Sequence, residues 1–273
     1  MDKTSSTNSR KYALSNATTK FLDQFDAVSL ILNRYSQFDK VAHALRALSP
    51  CDAVMIPPFC LCVGDRENDV VSLRDASVKF PVVCKPLTSH GKAGAHKMMI
   101  FFKEDDLSLV KCHSVVQSFE NHDGVLLKAY IIGDFFHLVT RPSIRNLPKE
   151  HEPIFFNSQD VSKEHSTSIL NNAYGVPSIE DLSINRALIG RVINALRAHL
   201  RLELMGVDFL ISSDTGRKQR LAIIDVNVFP DYSCVPNFHL HLENLLRGML
   251  DLSKLPLPAA VPETLGANQM QQL

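Results

Sequence analysis

Three oxygen donors stand where a pair of strands would bring them together. Asp208 lies in the run Gly206–Ser213, while Asp225 and Asn227 lie in the run Arg220–Pro230, and a turn-rich segment containing Asp214 and Gly216 separates the two. β-rich runs flanking such a loop predict an antiparallel hairpin. If the pairing is symmetric about the loop and free of a bulge, Asp208 faces Asp225, and the two-residue period of a strand puts Asn227 on the same face. Two carboxylates directly across from each other repel, and inside an apolar hairpin they also lose hydration. A cation removes both problems. An all-oxygen donor set favours Mg²⁺ over zinc, and so few protein ligands leave positions for water and phosphate oxygens. That is the chemistry of nucleotide-dependent phosphoryl transfer.

Cationic residues that could face a phosphate sit on other predicted strands. The apolar run Phe80–Pro86 delivers Lys85 near its end, and a lysine there needs a partner once it leaves water. Val125–Arg141 reads as a hairpin turning at Gly133-Asp134, with Lys128 among its apolar residues. Between Lys85 and the next strand, Ser89–Lys97 carries two glycines, His90, His96 and lysines. Glycines there would let backbone amides approach a phosphate, although the segment lacks the Gly-Lys-Ser/Thr ending of a Walker A loop.

The elements that must position these groups follow from periodicity. Ser36-x-x-Asp39 reads as an N-cap box before a helix carrying Phe38, Val41, Ala42, Leu45 and Leu48. Residues 142–177 show little periodicity and read as a long loop able to close over a ligand. Ser178–Asp181 would open a second helix, with Leu188, Ile189, Val192, Ile193, Leu196 and Leu200 as its apolar stripe and Arg186, Arg191, Arg197 and Arg201 as its solvated face. Leu240–Leu250 predicts a last helix, and residues 1–19 and 256–273 read as flexible ends.

The chain has 273 residues with equal numbers of basic and acidic side chains, 29 of each, and the basic residues are dispersed. This predicts a protein with a substantial core and no nucleic-acid footprint. No apolar run is long enough to span a bilayer and no signal peptide opens the sequence, which predicts a cytoplasmic location. Six cysteines occur without a zinc-binding spacing and read as buried free thiols.

Gln117–Lys128, Arg141-Pro142-Ser143, Phe155-Phe156-Asn157-Ser158, Val161-Ser162-Lys163 and Ile224-Asp225-Val226-Asn227-Val228-Phe229-Pro230 occur in an order that resembles the inositol-tetrakisphosphate 1-kinase family, also called inositol 1,3,4-trisphosphate 5/6-kinases. The likeness runs from about Leu22 to Leu250. It implies an α+β protein of the ATP-grasp fold, with two α+β lobes whose antiparallel sheets clamp ATP. The implied domains are a lead-in and lobe remnant over 1–28, a central lobe over 29–118, a C-terminal lobe over 119–253 and a tail over 254–273. Asp208, Asp225 and Asn227 would hold Mg²⁺, two ions per site. Arg34, Lys85, Gln117, Lys128, Ser143, Ser158 and Ser162 would line the ATP site. His90, His96, Lys128, Asn227 and Asp231 would face the inositol phosphate, with Lys128, Asp225 and Asn227 central to catalysis.

The implied reaction moves the γ-phosphate of ATP to a ring hydroxyl of an inositol tris- or tetrakisphosphate, carried out by a monomer without a covalent enzyme intermediate. Alternatives are an impaired module that binds nucleotide or inositol phosphate, and an ATP-grasp carboxylate–amine ligase. The sequence departs from the family in two places. It begins near the end of a lobe that supplies basic residues to the substrate. It also has Asp231 after Phe229-Pro230, where the family tends to have glycine, and a carboxylate there would repel a phosphorylated ring.

Overall fold

The computed structural model describes residues 11, 15–16, 18–48, 53–89, 94–163, 165–172, 175–212 and 220–258. The chain forms two units, one ending at Val235 and a second that starts at Pro236.

Within the first unit, two five-stranded sheets carry the fold. One contains β1 (Val54–Met55), β10 (Leu221–Val228), β9 (Leu204–Ile211), β6 (Val125–Ile132) and β7 (Phe135–Pro142) in that order. The other contains β2 (Phe59–Cys62), β5 (Ser114–Ser118), β3 (Val82–Pro86), β4 (Lys97–Phe101) and β8 (Ile154–Asn157). Apart from the parallel pair β1 and β10, the strand pairs of the two sheets are antiparallel among the described residues.

Strand periodicity divides the first sheet into a dry face and a functional face. Leu127, Ala129 and Ile131 of β6, Val207 and Phe209 of β9, and Ile223 and Val226 of β10 enter one apolar core. Their partners there come from α2 (Arg34–Ala47) and α5 (Arg186–Leu200). Leu126, Lys128, Asp208 and Leu210 alternate with them and line a cavity on the opposite face. Burial of the aliphatic side chains fixes this phase, since a slip of one residue would expose the core set and bury the charges.

The predicted hairpin forms, and Asp225 does pair with Asp208. The expected bulge-free register does not hold, because the pairing shifts between Ile223 and Asp225. Ile224 is the extra residue. Its carbonyl, displaced from the ladder, accepts a hydrogen bond from Lys85 Nζ at 2.9 Å. The turn at Gly133-Asp134 is as expected, with Ile132 paired to Phe135.

Several boundaries differ from the sequence expectation. Asn33, not Ser36, caps α2, its Oδ1 accepting from Ser36 N at 3.0 Å. Residues 142–177 are not all loop, for Ile154–Asn157 adds β8 to the edge of β4, and a short helix α4 (Ser158–Val161) follows. Phe155 and Phe156 alternate on opposite sides of this edge strand, so its period is too short to show in the sequence. The second long helix starts at Arg186 behind an Asn185 cap, while Ser178 and Asp181 form a separate turn through a 2.8 Å hydroxyl–carboxylate bond. Arg197 does not belong to a solvated face. Only 17% of its side chain is exposed, and it pairs with Asp134 at 2.6 Å and Glu203 at 2.5 Å.

Cys60, Cys62 and Cys84 are buried free thiols, but Cys112 is exposed and Cys234 half-buried; Cys51 lies outside the described residues. The first unit also contains α1 (Phe25–Ile31), α3 (Arg66–Asp75) and a 3-10 turn at Glu104–Leu109. In the second unit, α6 (Phe238–Met249) is closed by Asn244, which donates to Leu255 O and accepts from Leu255 N. Among the described residues, no helix is long and apolar enough to cross a membrane.

Candidate active site

A cavity of about 270 Å³ lies between the two sheets. Arg34, Lys85, His96, Gln117, Lys128, Ser143, Ser158, Ser162, Asp208, Asp225 and Asn227 all line it. The predicted site residues therefore converge, except two. Asp231 lies in an adjoining cavity, and His90 falls outside the described residues.

Lys85 enters from β3 and is 6% exposed. Its ammonium donates to Gln117 Oε1 and to Ile224 O, both at 2.9 Å, and sits 5.1 Å from the centre of the Phe38 ring. Burial pushes its pKa down to about 8, against the pull of Asp225 in the other direction. Such an ammonium has two neutral acceptors and a shortage of anions. Arg34 is likewise buried, at the start of α2, where its Nη1 donates to Pro86 O at 2.6 Å and Thr88 O at 3.1 Å.

Lys128 and Asp208 sit opposite each other in the β6–β9 ladder and close an ion pair at 3.0 Å. Burial works to lower the pKa of Lys128, but the Asp208 carboxylate, together with Tyr130 and Asp225, outweighs it and the net shift is upward. Asp208 itself is pushed up, first by burial and then by Asp225, with Lys128 opposing. Asp225 Oδ1 is buried and has no hydrogen-bond partner. A buried carboxylate oxygen left unsatisfied is costly. Two adjacent carboxylates, one with an orphaned oxygen, and the amide of Asn227 on the same strand make a donor set that suits a hard divalent cation. The residues present therefore fit Mg²⁺.

The remaining cavity residues come from local turns. Ser158 begins α4, its N–H donating to His96 O at 2.9 Å while its hydroxyl lies 3.4 Å from His96 Nδ1. Ser143 follows β7 and is held by Gly124 O, 2.8 Å from its N–H.

A second cavity, about 370 Å³, adjoins the first. Lys128 and Asn227 line both, so the two spaces meet at these side chains. Tyr130, Arg141, Phe229, Asp231 and Ser233 complete much of the second wall. Asp231 Oδ1 accepts from Ser233 N at 3.0 Å. Phe229 is 62% exposed and has φ of 41°, a left-handed conformation that a bulky residue rarely adopts. The approach of the Phe229-Pro230 turn depends on Gly206. A Cβ at Gly206 would lie 3.2 Å from Pro230 Cγ and 3.7 Å from Lys128 Cε.

Sequence reasoning gave no individual role to Tyr130, Arg141, Phe229 or His122, although the last three lie within the motifs that carry the family resemblance. Tyr130 shares the strand face of Lys128 two residues on, a signal the spacing did contain. His122 sits in a turn with no periodicity to place it.

Two sheets closing on a cavity, with charged groups supplied by both, define the ATP-grasp fold. A D-cycloserine synthetase superposes with a TM-score of 0.54 at 14% identity, over 90% of this chain and 81% of that one. The ADP complex of N5-carboxyaminoimidazole synthetase from Staphylococcus aureus gives 0.54 at 15% identity, over 91% and 58% of the two chains.

Within that fold, residues 49–247 match the inositol 1,3,4-trisphosphate 5/6-kinase ATP-grasp domain, and the chain belongs to this family. The inositol-tetrakisphosphate 1-kinase of Danio rerio is 33% identical over 250 residues, which cover 88% of this chain and 61% of the relative. That of Xenopus laevis is 30% identical over 243 residues, covering 88% and 60%. The chain thus spans about three fifths of the length of these relatives.

Proposed function

We propose that the chain is an ATP- and Mg²⁺-dependent inositol polyphosphate kinase, transferring the γ-phosphate of ATP to a ring hydroxyl of an inositol tris- or tetrakisphosphate. The observation that carries this reading is the meeting of the two cavities at Lys128 and Asn227, beside the orphaned oxygen of Asp225. The first cavity, between the two sheets, takes the nucleotide, and the second takes the acceptor. The names of the relatives support the acceptor class.

Asp208, Asp225 and Asn227 would hold Mg²⁺, which when bound supplies charge neutralisation at phosphate oxygens. Lys85 counters phosphate charge from the β3 side, and it is poised to do so because its present partners are neutral. Lys128 holds a positive charge at the junction through its ion pair with Asp208. Arg141 adds a cation to the acceptor side. The reaction forms a bond between the acceptor oxygen and the γ-phosphorus, breaks the bond from that phosphorus to the β–γ bridging oxygen, and releases the hydroxyl proton. Positioning and electrostatics suffice for this transfer, without an enzyme nucleophile.

Transfer of labelled γ-phosphate to a panel of inositol tris- and tetrakisphosphates, with Asp225→Ala as blank, tests the reading. Transfer above the blank, to one isomer in preference, is expected. Nucleotide binding without transfer to any isomer would replace the kinase with a binding module.

A further inference from the structure

The far end of the first cavity, away from the cationic junction, contains a buried histidine for which the proposed phosphoryl transfer has no use. His122 is 3% exposed and lines the cavity together with Ser143. Its Nδ1 lies 2.6 Å from Glu120 O, and its Nε2 lies 2.8 Å from Ser143 Oγ. A carbonyl oxygen can only accept, so Nδ1 carries the proton. In a neutral imidazole Nε2 is then a lone pair, and the Ser143 hydroxyl must donate to it. With its only proton committed to His122, Ser143 Oγ can present nothing but acceptor lone pairs to a ligand.

The backbone holds this polarity in place. His122 N donates to Asn146 Oδ1 at 3.0 Å, and Ser143 is fixed at both ends, by Gly124 O at 2.8 Å from its N–H and by Asn171 Nδ2 at 2.8 Å from its carbonyl. Burial also lowers the pKa of His122, which favours the neutral ring.

Gly124 and Lys128 are four residue steps apart along the start of β6, about 13 Å at the rise of a strand. Ser143 therefore sits well away from the charged junction, next to Ile144 in the chain and bonded to His122, whose ring lies 5.4 Å from that of Phe119. Phe119, Leu126, Ile144 and Leu210 line this cavity together with Ser118 and Glu120, and apolar walls with a few polar groups suit the base of a nucleotide whose phosphates lie at the junction. We propose that His122 is a positioning residue that fixes Ser143 as an acceptor, so that this end of the cavity selects a 6-amino purine, which donates, over a 6-oxo purine, which accepts. The inference rests on the nucleotide-binding reading above.

Equilibrium binding of Mg²⁺-ATP and Mg²⁺-ITP to the full chain tests it, because the two nucleotides differ in the 6-substituent and its donor–acceptor pattern. The unaltered protein is expected to bind ATP about tenfold more tightly or better, as for a buried acceptor left facing an acceptor. His122→Phe frees the Ser143 hydroxyl to turn and should bring the ratio several-fold closer to one, mainly by improving ITP. Ser143→Ala should also flatten the ratio, and Ser143→Thr should keep it. A merely structural role would weaken both nucleotides together and leave the ratio alone. Equal affinities in the unaltered protein, or an unchanged ratio in both His122→Phe and Ser143→Ala, would overturn the inference while sparing the nucleotide site. Failure to bind either nucleotide would remove the nucleotide site and the inference with it.

Discussion

Lys85 and Ile224 belong to different sheets, and the 2.9 Å bond from the lysine ammonium to the carbonyl of the bulged residue crosses the cavity between them. The same ammonium is thus a structural tie and the proposed phosphate ligand, and these roles respond differently to pH. Because the pKa falls from an ordinary 10.5 to about 8 on folding, the unfolded chain binds the proton more tightly. Lys85 therefore imposes a cost that is complete below about pH 8 and is relieved as pH rises toward 10.5. The stability difference between the unaltered protein and Lys85→Met should move in favour of the unaltered protein across that window, by on the order of 3 kcal/mol in full. Urea unfolding of both proteins at several pH values from 7.5 to about 10 would check it. A difference that is flat with pH would place the Lys85 pKa near its ordinary value.

Asp225→Ala removes an oxygen that has no partner in the fold. Phosphoryl transfer should fall by about a hundredfold or more, while the melting temperature without ligand stays level or rises. A marked loss of stability would mean that the carboxylate serves the fold and not a cation.

Asp231 lines the proposed acceptor cavity with one oxygen bonded to Ser233 N. Asp231→Gly removes a negative charge from the side a phosphorylated ring would approach, so its dissociation constant should fall about fivefold or more. Titration calorimetry with an inositol tetrakisphosphate gives the answer directly. An unchanged or weaker affinity would show that Asp231 does not oppose the ligand.

Gly206→Ala places a methyl 3.2 Å from Pro230 Cγ and 3.7 Å from Lys128 Cε. The turn at Phe229-Pro230 must shift to admit it, at a cost of about 1–3 kcal/mol. KM for the acceptor should rise while the dissociation constant of Mg²⁺-ATP stays within about twofold. Equal losses for both ligands would indicate a general disturbance of the sheet.

The convergence of Lys85, Lys128, Asp208 and Asp225 was legible because strand alternation is a local rule: a charge between aliphatic neighbours must leave the core face. The bulge at Ile224 was not legible, since its reason is a lysine on another sheet. Arg197 was misread because helical spacing cannot foresee Asp134, which arrives from a distant hairpin turn. Strand β8 was hidden by its length and edge position, and the true cap of α2 by a second capable residue, Asn33, three positions before Ser36. His122 was the hardest to find, as its partners are a backbone carbonyl and a hydroxyl that no sequence spacing brings together.

Gln37, buried on α2, donates to Val226 O at 2.5 Å and accepts from Val226 N at 3.2 Å. One side-chain amide thus takes the place of a neighbouring strand beyond the point where β1, paired only at Leu221 and Ala222, gives out. A sheet margin with open donors and acceptors can recruit another polypeptide. Here the margin is sealed from within the same molecule, at the residue between Asp225 and Asn227. The stretch that carries two of the proposed metal ligands is thereby also shielded from the kind of intermolecular pairing that leads to aggregation.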